Sequence, residues 1–283
     1  MHGFMAGVPP MTEGERGRIG DFIEDEYGIK MPPAKKGLLE GRLAKRVAAC
    51  GLSDYGAYFD YVTKDPAGQD EYLRFMDLVS THETSFFREA KHFDFLRRNA
   101  LPALCEEGRR RSISVLCAAC STGEEAYTLG MTIDAALMEL RRGDIEFGVE
   151  GIDLSNNAVA IAERGVYLAE RIKKVPDAMR NRYVMASKDR SKDLCRIVPE
   201  LRENVRFHTG NLLGDLALIR QRYEIVFCRN VLIYFDRSNQ YKAIARLIGH
   251  MSADSFLFLG HSETMLSFDL PLRSVSHSVY QKK

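Results

Sequence analysis

The spacing of apolar residues changes character once along the chain, and that change limits the fold more than any single residue does. Up to Val79 the apolar positions recur at helical intervals and no strand pattern interrupts them. Thr12 and Glu15 form a capping-box pattern, after which Ile19, Phe22, Ile23 and Tyr27 share one face until Gly28. A second helix fits Ala34 to Ala49 after Met31-Pro32-Pro33 and is ended by Cys50-Gly51. A third starts at the cap Ser53, carries Tyr55, Phe59 and Val62, and is broken by Asp65-Pro66-Ala67-Gly68. A fourth holds Tyr72, Phe75, Met76 and Val79. Four helices with short connections predict a small bundle.

From about residue 111, short β-branched runs alternate with helical patterns, the sign of βα units around a mostly parallel sheet. Strands are expected at Ile113 to Ala118, Phe147 to Ile152, Val205 to His208, Glu224 to Cys228 and Ser255 to Leu259, with a last one near Val275 to Gln281. Helices fit Glu124 to Arg141, Asn156 to Arg164 and Asn239 to Met251. The stretch from Val166 to Leu201 fits neither pattern and reads as an insertion; between Arg164 and Arg196 it carries ten Lys or Arg against four Asp or Glu. At roughly 100 to 200 residues per domain, a chain of 283 residues accommodates this two-part organisation.

With 40 Lys plus Arg against 39 Asp plus Glu, affinity for an anionic partner must come from local clustering, which disfavours a nucleic-acid or membrane-surface protein. No window reaches the ~18 apolar residues of a membrane span, and Met1 to Met11 lacks the order of a signal peptide, so a cytoplasmic location without membrane insertion is expected. The six cysteines are read as reduced, buried thiols. Only Cys117 and Cys120 have redox-like or metal-like spacing, and a zinc site would need a second such pair. The seven histidines show no ligand spacing, so no metal is expected.

In an open α/β sheet, ligands sit beyond the carboxyl ends of the strands. The first strand leads into Ala118-Ala119-Cys120-Ser121-Thr122-Gly123-Glu124-Glu125, a small-residue turn that opens a helix and lets a ligand approach the backbone. The dinucleotide fingerprint G-x-G-x-x-G is absent, and two carboxylates after Gly123 oppose a pyrophosphate. The second strand ends in Asp153, which alone reads equally as the start of the turn before the cap Ser155 or as an acceptor for a ribose diol. Together with the preceding turn it favours an adenosyl ligand, and S-adenosylmethionine (SAM) over a nicotinamide, because the phosphate site is missing.

Six blocks then stand in order between residues 84 and 263: Thr84-Ser85-Phe86-Phe87-Arg88-Glu89; Ser121-Thr122-Gly123-Glu124-Glu125-Ala126-Tyr127; Asp153; Gly210-Asn211-Leu212-Leu213; Phe227-Cys228-Arg229-Asn230-Val231-Leu232-Ile233-Tyr234-Phe235; and Gly260-His261-Ser262-Glu263. This series resembles the motifs of the chemoreceptor glutamate methyltransferases, the CheR family. The resemblance implies an α/β chain: an all-α N-terminal domain over residues 1–82 that docks on receptors, then a Rossmann-like SAM-dependent methyltransferase domain over 83–283 with a small inserted β-subdomain at about 166–201.

The resemblance also implies roles. Thr84 and Arg88 line the cofactor site from the linker, with His82 standing where the family commonly has Asn. Glu125 and Asp153 contact the methionine amino end or the ribose, Asn211 and Leu212 flank the adenine, and Arg229, Asn230 and Tyr234 close the methyl-donor end. Arg88 and Tyr234 are the expected catalytic pair: Arg88 orients the substrate carboxylate with its planar fork and Tyr234 lines the methyl path. Without the resemblance, Arg88 reads as a partner of a neighbouring acid such as Glu89, and Tyr234 as a core tyrosine beside Phe235. The implied reaction moves a methyl group from SAM to glutamate carboxylates on a receptor's cytoplasmic helical bundle, leaving S-adenosylhomocysteine (SAH).

Lys35, Arg42 and Arg46 share a helix face that reads either as a solvated charged surface or as a docking site for an acidic helix. Some family members tether a receptor's C-terminal peptide on a Gly-x-Gly turn of the β-subdomain. Here Ala186 to Asp193 holds no glycine, so direct action on receptors is expected, by a monomer recruited to membrane-bound receptor arrays. The competing readings are a non-catalytic SAM-binding regulator and a methyltransferase of another substrate class, including nucleic acid, which only the basic insertion supports.

Overall fold

Thr12 opens the first helix as its sequence demands: its side chain accepts the N–H of Glu15 while the Glu15 carboxylate accepts the N–H of Thr12. The computed structural model describes residues 7–80, 83–106, 111–189, 191–214, 222–263 and 268–283. Helix α1 (Glu13–Tyr27) ends at Gly28 in the left-handed conformation, φ +69°. It is followed by α2 (Lys36–Ala49), α3 (Tyr55–Lys64) and α4 (Gln69–Val79). The cap of α3 is Asp54, which accepts the N–H of Ala57, and not the expected Ser53, whose hydroxyl donates to Asp54 instead. Ile19, Ile23, Leu39, Leu43, Val47, Tyr58 and Phe75 are buried between the four helices, and the Phe22 and Phe59 rings meet edge-on at 5.4 Å. These helices and the segment Tyr234–Asn239 pack as one compact unit, and the chain splits there from a second.

The second unit begins with a helical stretch that the sequence reading did not anticipate: α5 (Lys91–Phe95), a π-helical turn over Leu96–Ala100, and α6 (Leu101–Leu104). Pro102, which has no N–H to give, sits where the ladder changes from π to α geometry. The sheet is made of β1 (Ser112–Ala118), β2 (Glu146–Asp153), β6 (Val205–Thr209), β7 (Tyr223–Cys228), β8 (Met251–Leu259), β9 (Leu272–Ser276) and β10 (Val279–Lys282). Its strand order is β6-β2-β1-β7-β8-β10-β9, parallel through β8 and antiparallel at the last two strands. The expected single strand from Val275 to Gln281 is therefore a hairpin: Ser278, at φ +54°, reverses the chain between β9 and β10. All six residues of β7 are buried, as a central parallel strand covered on both faces requires. Helices α7 (Glu124–Glu139), α8 (Asn156–Arg164) and α11 (Arg237–Gly249) complete the βα units.

The stretch that fitted neither pattern forms its own antiparallel sheet, in the order β3-β5-β4, from β3 (Val166–Leu168), β4 (Val184–Ala186) and β5 (Leu194–Ile197). A 3-10 segment at Ala169–Lys174 and the short helix α9 (Asp177–Tyr183) join its strands, and α10 (Pro199–Arg202) leads back to β6. Among the described residues, no helix is long and apolar enough to cross a membrane.

Candidate active site

The parallel register sets Ala118, Ile152, His208, Cys228 and Leu259 at one edge of the sheet. Five loops therefore leave from the same end: Ala119–Gly123, the turn at Asp153, Gly210–Leu212, Arg229–Asn230 and Gly260–Glu263. This is where an open α/β sheet binds its ligand.

The first loop is conformationally strained. Ala119, Ser121 and Gly123 take φ values of +59°, +50° and +94°, and only the last is a glycine. A Cβ at Gly123 would lie 2.7 Å from the Cβ of Ala162 and 3.0 Å from the Tyr167 hydroxyl, so no larger residue fits. Neighbouring loops hold the turn: the N–H of Cys120 donates to the Ile152 carbonyl, and that of Ser121 to the Asp153 carboxylate at 2.7 Å. The other Asp153 oxygen accepts the N–H of Ser155, so the residue does serve the turn before α8. Gly210 donates to the Asp153 carbonyl, which brings Asn211 and the buried Leu212 beside it. The Ser121 hydroxyl is buried with no hydrogen-bond partner among the described residues.

Across the β1–β7 boundary, Arg229 stands between two carboxylates, 3.0 Å from Glu89 and 3.1 Å from Glu125, with its side chain 0% exposed. Its guanidinium also lies 5.4 Å from the Phe93 ring centroid, and it donates to the Arg88 carbonyl. The two acids respond in opposite directions. Glu89 is held below the usual carboxylate range: burial opposes this, but Arg229, Asn230 and His261 outweigh it. Glu125 is pushed up by burial, with Arg229 pulling it back. The Cys117 thiol donates to Glu125 at 3.4 Å. Burial raises both Cys117 and Cys120 well above an ordinary thiol, which suits inert packing rather than redox chemistry. Ligand atoms of Glu89, His92 and His261 lie within 4.8 Å of one another, a grouping no sequence spacing reveals. The positive charge facing Glu89 there belongs to Arg229.

The inserted sheet is tied to this pocket. Arg171 pairs with Glu124, which is 0% exposed, and reaches the Thr84 carbonyl; the Tyr167 hydroxyl donates to the Thr122 carbonyl; Lys174 donates to Ser85. Both the turn after β1 and the segment carrying Thr84 and Arg88 are thus braced by the insertion. The Arg88 side chain donates to the Glu83 carbonyl at 2.6 Å and not to the acid beside it in sequence. His82 lies outside the described residues.

Of the expected site residues, Thr84, Arg88, Glu125, Asp153, Asn211, Leu212, Arg229 and Asn230 all belong to the second unit. Tyr234 packs in the first, where its carbonyl accepts the N–H of Lys30 and its ring lies 5.3 Å from the Lys35 ammonium. The basic face of α2 is not a free surface. Arg46 makes a two-pronged ion pair with the buried Glu71, at 2.7 and 2.6 Å, and Arg42 donates to the carbonyls of Val79 and Ser80 at the end of α4. Sequence reasoning assigns no role to Glu89, Glu124, Arg171 or Glu263, and the structure gives each a polar partner at this end of the sheet: Arg229 for Glu89, the exposed Arg171 for the buried Glu124, and the Asn230 N–H for Glu263.

Two family descriptions match the chain: "CheR methyltransferase, all-alpha domain" over residues 15–80 and "CheR methyltransferase, SAM binding domain" over 82–280. A chemotaxis protein methyltransferase of Borreliella burgdorferi is 31% identical over 258 residues, covering 90% of this chain and 89% of that protein. Those of Escherichia coli and Salmonella typhimurium are 31% and 33% identical, covering 93% and 87% of this chain and 88% and 82% of their own. The pocket fits SAM chemically. Carboxylates at Glu125 and Asp153 suit its ammonium and ribose diol, while the unpartnered Ser121 hydroxyl and Arg229 Nε offer buried polar groups to its remaining acceptors. On the match of both domains and on this pocket, the chain belongs to the CheR methyltransferase family and is a SAM-dependent methyltransferase.

Proposed function

We propose that the enzyme methylates glutamate side chains on the cytoplasmic helical bundle of a chemoreceptor, giving glutamate methyl esters and SAH, in chemotactic adaptation. The observation that carries this reading is a methyl-donor pocket assembled at the strand ends in a chain matched along its length by chemotaxis protein methyltransferases. Bound SAM supplies an electrophilic methyl group on a sulfonium.

A glutamate with its ordinary pKa of about 4.3 is ionised at neutral pH, so the chain need not provide a general base. Its task is placement. Holding a carboxylate oxygen in line with the methyl group makes the step effectively unimolecular, worth up to ~7 to 11 kcal/mol. Transfer of that methyl group to an ionised carboxylate would need no proton to move, so the residues here would serve to bind and orient. Arg88 orients the incoming carboxylate, and too strong a grip would stabilise the ground state. Tyr234 acts on the substrate, and Thr84, Glu125, Asp153, Asn211, Leu212, Arg229 and Asn230 hold the donor.

The all-α domain docks on the receptor, with Lys35 among the cations that meet substrate acid. The enzyme acts as a cytoplasmic monomer brought to membrane-bound arrays by its substrate. Mass spectrometry of receptor peptides after incubation with SAM tests the reading: methyl esters on glutamates are expected, and their absence from every co-expressed receptor, with SAM still bound, would remove it.

A further inference from the structure

The residues after β7 leave the sheet with no strand or α-helix to take up their backbone N–H groups, so those donors need a local acceptor. Glu263 provides it. Its Oε2 accepts the N–H of Asn230 at 2.9 Å and of Gly260 at 2.7 Å; its Oε1 accepts those of Leu232 at 2.8 Å and Ile233 at 3.3 Å. The residue is 6% exposed. Burial pushes its pKa up, and the four N–H donors work against that.

Asn230 has φ +57°, a left-handed conformation that asparagine tolerates better than most residues with a side chain. From that backbone its Nδ2 reaches Glu89 at 3.2 Å, the carboxylate that also meets Arg229. Gly260 leaves the room this needs, because a Cβ there would lie 2.7 Å from both Asn230 Nδ2 and Glu263 Oε2.

We propose that Glu263 is a positioning residue for the methyl donor: it fixes the backbone from Asn230 to Ile233 and so keeps Asn230 directed into the pocket. The inference rests on the assignment of Asn230 to SAM binding. A carboxylate is the side chain the site calls for, since both oxygens accept two N–H groups each; a glutamine would turn its own NH2 toward two of those donors.

Calorimetry of SAH binding to the full chain tests this through a double-mutant cycle of Glu263→Gln and Asn230→Ala, which requires no receptor. Each single variant should weaken SAH about tenfold, and the double variant should bind no more than about twofold worse than Asn230→Ala alone. A purely structural Glu263 would lower thermal stability and give multiplying effects, and that result overturns the proposal; so does an affinity for SAH in Glu263→Gln within about twofold of wild type. If Glu263→Gln does not fold, Glu263→Asp keeps the charge and draws it back by one methylene, and the same two outcomes are read in its cycle. A wild-type chain that binds SAH and methylates no receptor removes the substrate assignment and leaves this cycle readable.

Discussion

Nη1 of Arg229 lies 3.1 Å from Oε2 of Glu125, an ion pair that joins the loop after β7 to the first turn of α7. It is buried, and Glu89 completes it from the other side at 3.0 Å. Removing one partner of such a group leaves an uncompensated charge, which costs more than the pair itself contributes.

Arg229→Leu should therefore lower stability by roughly 3 to 5 kcal/mol, because both Glu89 and Glu125 lose their counter-charge. Adding Glu125→Gln to it should return part of that loss without restoring SAH binding. Urea unfolding and calorimetry on the two variants check this.

On the roles proposed for them, Arg88→Ala and Tyr234→Phe should lower turnover on receptor by about 10- to 100-fold while SAM affinity changes by less than about threefold. Single-turnover rates beside SAM binding curves separate the two effects. Unchanged turnover in either variant would reject that residue's role.

His92 is buried, and its pKa is brought down to about 4 from 6.5, first by burial and then by Arg229. Between those values the unfolded chain binds a proton at this position and the folded chain does not, so stability falls as the pH drops from 6.5 toward 4. The full contribution is about 3 kcal/mol. Urea titrations at several pH values should show this slope in wild type and a shallower one in His92→Leu.

Arg46→Ala should destabilise the helical unit by about 3 kcal/mol, since Glu71, at 4% exposure, would keep only Arg74 and the Tyr58 hydroxyl among the described residues. Arg46→Glu should be worse, with two carboxylates facing each other. Thermal unfolding of the two variants measures the loss, which a role confined to receptor docking would not produce.

The elements and strand ends of this protein were legible because they depend on local pattern. β1 and β7 follow from apolar runs and β2 and β6 from short strings in which apolar and polar residues alternate, and Asp153 and Arg229 stand out because they sit at or directly after the strand ends. What the helix wheel of α2 could not show is that Glu71 of α4 lies opposite Arg46, 25 residues away. Arg229 and Glu89 are separated by 140 residues, Glu124 and Arg171 by 47, and Asn230 and Glu263 by 33; such pairs exist only once the sheet order is set. The π-helical turn and the β9–β10 hairpin escaped for a different reason. Pro102 broke the apparent pattern, and Ser278 adopts a backbone angle that its residue type does not announce.

The sheet order has a consequence for biosynthesis. Strand β8 and the carboxylate of Glu263 follow β7 in the chain, yet they line up against it and against the loop that carries Arg229 and Asn230. A nascent polypeptide emerging from the ribosome can form β1, β2 and β7 before Glu263 is made, but the Asn230 backbone finds its acceptor only once translation has passed that carboxylate. The loop after β7 is thereby left unset until the strand beyond it has been synthesised.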